Sequence, residues 1–127
     1  MPQFGARSQI RLDTLDPILQ VILMRAIQVT DFSIICGHRG EAEQNQAFEA
    51  GNSQLVYPRS KHNSCPSRAV DIAPYPIDWD DIERFCFLAG VVKTVAWSMG
   101  VGIIWGGIWS FKDYPHFELE DSIWLSQ

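Results

Sequence analysis

Cysteine is scarce in this chain and never spaced as a metal or redox pair. Cys36, Cys65 and Cys86 stand alone, with no CxxC among them. An odd number of isolated cysteines in 127 residues does not describe a disulfide framework and fits synthesis in a reducing compartment. Positive charge is also short. Ten Lys and Arg against fifteen Asp and Glu leave a net charge of -5, whereas phosphate backbones need clustered cations, so nucleic acid is not an expected partner. Long apolar runs are missing too. The segment PILQVILMRAI is too short to span a bilayer and carries Gln20 and Arg25. A basic start followed by a small-residue cleavage site, the mark of a secretory signal, is not seen. No membrane insertion is expected.

What is present suffices for a core. Hydrophobic residues make up 46% and charged residues 20%, near the average for globular proteins. The length suits one domain over residues 1–127, expected to act as a monomer. Leu15, Ile18, Leu19, Ile22, Leu23 and Ile27 recur at three and four residues, predicting a helix over residues 14–28. DFSIICG predicts a short strand. EAEQNQAFEAG predicts a helix stopped by Gly51. Residues 52–67 have loop composition, with four serines, two prolines and two asparagines. AVDIAPYP predicts a buried strand, and Ile82, Phe85, Cys86, Ala89, Val92 and Ala96 predict a helix over residues 79–99, with Asp80 and Asp81 in its first turn and Gly100 at its end. VGIIWGGIWSF and HFELE predict two strands around a glycine turn. Long helices with strands that do not alternate regularly with them indicate an α+β domain.

Among three histidines, two stand near carboxylates. His62 precedes Asp71 in SKHNSCPSRAVD, and His116 precedes Glu118 in KDYPHFELE. In an extended segment His116 and Glu118 face one way while Phe117 and Leu119 face the other. Two imidazoles and a carboxylate from separate segments suit zinc with one position left open, the mark of a catalytic rather than a structural site. A proton acceptor for the water at that position could be Asp113 or Glu118, and spacing does not choose between them.

Three ordered blocks carry a resemblance: GHRGEAEQNQAFEAG (residues 37–51), SKHNSCPSRAVDIAPYP (60–76) and WGGIWSFKDYPHFEL (105–119). Together they resemble the zinc DD/LD-carboxypeptidase and endopeptidase family, which includes D-alanyl-D-alanine carboxypeptidases, D-Ala-D-Ala dipeptidases and L-alanyl-D-glutamate endolysins of bacteriophages. The resemblance implies a Hedgehog/DD-peptidase fold, an antiparallel sheet flanked by helices with zinc in the cleft. It implies His62, Asp71 and His116 as zinc ligands, Asp113 as general base and later acid, and Arg39 as the group polarising the scissile carbonyl or holding a carboxylate. Ser60 would touch substrate, Gln44 would support the pocket, and Glu118 would fall to a supporting role. The second block is two residues longer than the commonest family spacing, as in a phage subgroup with a Pro-Ser insertion. Ile108 stands where many relatives carry an aspartate.

The remaining residues have simpler readings. Cys65 lies in the longer loop, and Cys36 and Cys86 fall on apolar faces and read as core. His38 reads as a solvated loop residue. Trp97 belongs to the second long helix and Trp124 reads as C-terminal packing, while Trp105 and Trp109 flank the glycine turn and are candidates to line the cleft. The resemblance therefore implies a zinc metallopeptidase acting on the peptidoglycan stem peptide, with a phage-type L-alanyl-D-glutamate endolysin as the leading reading. Such an enzyme would be made in the host cytoplasm and reach the cell wall after membrane permeabilisation. The alternatives are a D-alanyl-D-alanine carboxypeptidase and a non-catalytic peptidoglycan-binding module.

Overall fold

A computed structural model describes residues 2–121; Trp124 lies outside them. The helices are α1 (Ala6–Leu12), α2 (Pro17–Ala26), α3 (Glu41–Glu49) and α4 (Ile82–Ser98). The strands are β1 (Phe32–Cys36), β2 (Ala69–Pro74), β3 (Ile103–Trp105) and β4 (His116–Leu119). Two single 3-10 turns, Lys61–Asn63 and Gly106–Ile108, complete the described elements. The strands form one antiparallel sheet in the order β1-β2-β4-β3, in keeping with the expected α+β class.

Capping chemistry moves two helix starts inward from where hydrophobic period puts them. Pro17 opens α2 and the Asp16 carboxylate accepts from the Ile18 amide at 2.9 Å, a standard start signal. Leu15 is in phase with the helix yet bridges to Ser67 instead. Asp81 is likewise the N-cap of α4, so Asp80 and Asp81 precede its first turn rather than lie in it. Gly51 and Gly100 adopt φ of +80° and +73° beyond the ends of α3 and α4, a backbone region that only glycine enters without penalty.

Helix α1 has no clear periodic signal and exists for a tertiary reason. The Ile34 amide donates to Ser8 Oγ at 2.9 Å, and Arg11 Nη1 donates to the Ile34 carbonyl at 2.9 Å. Two polar side chains of α1 thus occupy the outer edge of β1, which would otherwise present unpaired groups. One face of the sheet carries Phe32, Ile34, Val70, Ile72, Phe117 and Leu119, packed with Leu19, Ile22 and Leu23 of α2 and Leu88, Ala89, Val92 and Ala96 of α4. Strand alternation then turns Asp71, His116 and Glu118 to the other face. The buried stripe of α4 is narrower than expected: Cys86 is exposed rather than core, and Trp97 is 83% exposed.

The turn between β3 and β4 needs a glycine at Gly106. A Cβ there would sit 2.5 Å from the Asp113 carbonyl oxygen and 3.2 Å from His116 Cβ. That carbonyl is also fixed by accepting from the His116 amide at 3.1 Å. Gly106→Ala is therefore expected to destabilise by about 1–3 kcal/mol, as overpacking does, measured by urea unfolding. A loss below about 0.5 kcal/mol, the range of an ordinary surface substitution, would show that the turn yields.

Candidate active site

Register puts the chemistry together. On β2, Asp71 pairs with Cys36 of β1 on one side and with His116 of β4 on the other. The β1–β2 pairing shifts by one residue between Ile34 and Cys36, a bulge that brings Cys36 rather than Ile35 opposite Asp71. Cys36 is therefore half-buried beside the site, not a core residue as its apolar neighbours suggest. His62 arrives from outside the sheet on the 3-10 turn, where Ser60 Oγ accepts from its amide at 3.1 Å.

Three donor atoms converge on this row. His62 Nε2 lies 3.3 Å and His116 Nδ1 3.2 Å from the same oxygen, Asp71 Oδ1. The opposite ring nitrogens are held as well. His62 Nδ1 donates to the Gly37 carbonyl at 2.7 Å, and His116 Nε2 meets Glu118 Oε1 at 2.8 Å. Imidazoles anchored through one nitrogen present the other in a fixed direction, the arrangement that metal sites use. Asp113 Oδ2 is 3.9 Å from His116 Nδ1. Two overlapping groups, Cys36–His62–Asp71 and Asp71–Asp113–His116, have donor atoms within 4.8 Å of one another and could hold a metal ion.

The loop carrying Arg39 is locked to the loop carrying His62. The Arg39 amide donates to the His62 carbonyl at 2.8 Å, and Asn63 Nδ2 donates to the Arg39 carbonyl at 2.9 Å. Gln44, fully buried, accepts from Arg39 Nη1 at 2.9 Å and donates to Leu55 O and Ser53 Oγ. Arg39 Nη2 then reaches Asp71 Oδ2 at 3.3 Å. His38, expected in solvent, is half-buried with Nδ1 against the Ser64 carbonyl at 2.9 Å.

A cleft of about 630 Å³ opens over these groups, lined by Arg39, Ser60, His62, Asp113 and His116 and walled by Leu55, Ile108, Trp109 and Phe111. The Trp109 ring lies 5.0 Å from the His116 ring. Trp105 is placed differently: its Nε1 donates to the Tyr114 carbonyl at 2.7 Å and its ring stacks on Phe117, so it braces the turn and is not among the residues lining the cleft. Leu55, Arg59, Lys61 and Phe111 line the cleft without having stood out in the sequence, since no spacing pattern marks them.

The family model for the phage L-alanyl-D-glutamate peptidase matches residues 1–124. The chain belongs to that family. It is 32% identical over 123 residues to the L-alanyl-D-glutamate peptidase of Escherichia phage T5, covering 93% of this chain and 89% of that protein. It also superposes on the crystal structure of the L-Ala D-Glu endopeptidase ChiX of Serratia marcescens with a TM-score of 0.81 and 31% identity, covering 94% of this chain and 91% of that one. The fold is thus of the Hedgehog/DD-peptidase type, and the protein is a peptidase.

In this peptidase the site is strongly coupled. Burial pushes the Asp71 carboxyl up, but bonds from His116 and His62 win and hold it well below the usual carboxylate range. Burial pulls His62 down, but Asp71 and Cys36 raise it to about 10. His116 is raised against its own burial by Asp71 and Glu118. Asp113 is raised by burial and by the charge of Asp71, a direction that suits proton transfer. A raised imidazole contributes fully below its ordinary 6.5 and loses that contribution as pH climbs toward about 10, while the lowered Asp71 contributes fully above 3.8. Metal-free protein is therefore expected to be most resistant to urea between about pH 4 and 6.5 and to weaken steadily above. A resistance that rises from pH 6.5 to 9 would contradict the coupling.

Proposed function

We propose that this protein is a zinc peptidase that cleaves the L-alanyl-D-glutamate bond in the stem peptide of bacterial peptidoglycan. The observation that carries the reading is the convergence of His62, Asp71 and His116 with the Asp113 carboxylate beside them. Two nitrogens and one oxygen, each anchored from behind, fit zinc with an open position. Cys36 fits less well as a ligand. Its sulfur lies 4.0 Å from His62 Nδ1, the nitrogen already committed to the Gly37 carbonyl.

Zinc held by His62, Asp71 and His116 supplies Lewis acidity and a lowered pKa for water. The side chains do the rest. Asp113 accepts the proton of the attacking water and delivers it to the leaving nitrogen of D-glutamate. Arg39, fixed by Gln44 and Asp71, places positive charge where the carbonyl oxygen becomes an anion. Ser60 and the Trp109 and Phe111 wall hold the peptide. A glutamate acylated at its amine continues the chain through one of its two carboxyls, so a second carboxylate stays near the scissile bond. Arg59 at the cleft forms no ion pair among the described residues and is the cation that would meet it.

Among the described residues no helix is long and apolar enough to cross a membrane. Synthesis in the host cytoplasm, access to the wall once the membrane is opened, and action of residues 1–127 as one monomeric unit belong to the same proposal. The test is mass spectrometry of purified peptidoglycan after incubation. New L-alanine C-termini and D-glutamate N-termini are expected, lost with a chelator. Asp113→Asn should retain zinc while kcat/KM falls about 10²–10⁴-fold, the share of general acid–base catalysis. Release of terminal D-alanine alone would make the protein a carboxypeptidase, and intact peptidoglycan with zinc bound would make it a binding module.

A further inference from the structure

Lys61 belongs to the same 3-10 turn as His62, yet its side chain leaves that turn for strand β4. Its Nζ donates to the Leu119 carbonyl at 2.6 Å and meets Glu118 Oε2 at 3.0 Å and Asp121 Oδ1 at 3.4 Å. The side chain is 21% exposed and that of Glu118 16%, so this pair is largely out of solvent. The other oxygen of the same carboxylate, Oε1, holds His116 Nε2 at 2.8 Å. The residue next to one imidazole thus grips the carboxylate that orients the other.

Glu118 needs such a grip. It lines the cleft with Asp113, and Arg39 is already bonded to Asp71. Among the described residues Lys61 is the lysine or arginine in contact with Glu118. Released from it, the carboxylate could rotate away from His116, leaving that ring without the bond that fixes its orientation and directs Nδ1 at Asp71.

We propose that Lys61 is a positioning residue for the metal centre, acting through Glu118 to hold His116 while tying the His62 turn to strand β4. The proposal rests on the zinc reading above. The test is the zinc dissociation constant, measured by competition with a chromophoric chelator, for wild type, Lys61→Met, Lys61→Arg, Glu118→Gln and the Lys61→Met/Glu118→Gln double variant. Lys61→Met is expected to weaken zinc about 10–100-fold, as loss of a partner behind a ligand does, and Lys61→Arg, which keeps the cation, to regain most of it. In the Glu118→Gln background the same Lys61→Met change should have little further effect, because the two residues act as one unit. Zinc binding by Lys61→Met as tight as wild type overturns the proposal, and so does a full additive loss in the double variant. Unchanged zinc affinity with a raised KM would make Lys61 a substrate contact instead. Wild-type protein that binds no zinc would overturn the zinc reading and this proposal with it.

Discussion

A single buried carboxylate organises this molecule. Asp71 receives His62 and His116 on one oxygen and Arg39 on the other, and each partner comes from a different stretch of chain. Two of the four groups are set by strand pairing, and two by loops that are bonded to each other as well as to this charge. An ionised carboxylate removed from water is costly unless fully paired, so the surrounding fold has to satisfy it from several sides at once. The groups gathered around Asp71 are also ones that could hold a metal ion.

Precision is then a matter of how the loops are held. Gln44 and Asn63 stitch the Arg39 loop to the His62 turn, and β4 delivers His116 with Phe117 anchored in the core one residue on. Gly106 and Gly107 let the turn after β3 close against Asp113 and Trp105. The polar network is almost entirely satisfied within itself, which in a low-dielectric setting rigidifies a site. A polar constellation held this tightly needs little further ordering when a ligand arrives.

Much of this was legible in the chain. His62, Asp71, His116, Asp113 and Arg39 were singled out through the resemblance of three motif blocks, and the structure brings these five side chains close together. The alternation of HFEL told which side chains face the core and which face the site. Other features depend on contacts distant in sequence. Nothing in FSIIC announces a bulge, so Cys36 reads as core until pairing with Asp71 is seen. Helix α1 owes its place to the edge of β1, and Trp105 differs from Trp109 through the Tyr114 carbonyl that claims its indole and the Phe117 ring it stacks on. Lys61 sits inside the most informative motif, yet its role depends on a strand nearly sixty residues later, with Leu119 as partner.

The ligand set is the claim on which the chemistry stands, and X-ray absorption spectroscopy of the zinc-loaded protein tests it most directly. Ligation by His62, Asp71 and His116 gives a first shell of nitrogen and oxygen at about 2.0–2.2 Å, with scattering from two imidazoles and no sulfur. A sulfur shell near about 2.3 Å would put Cys36 on the metal and contradict the site as built here.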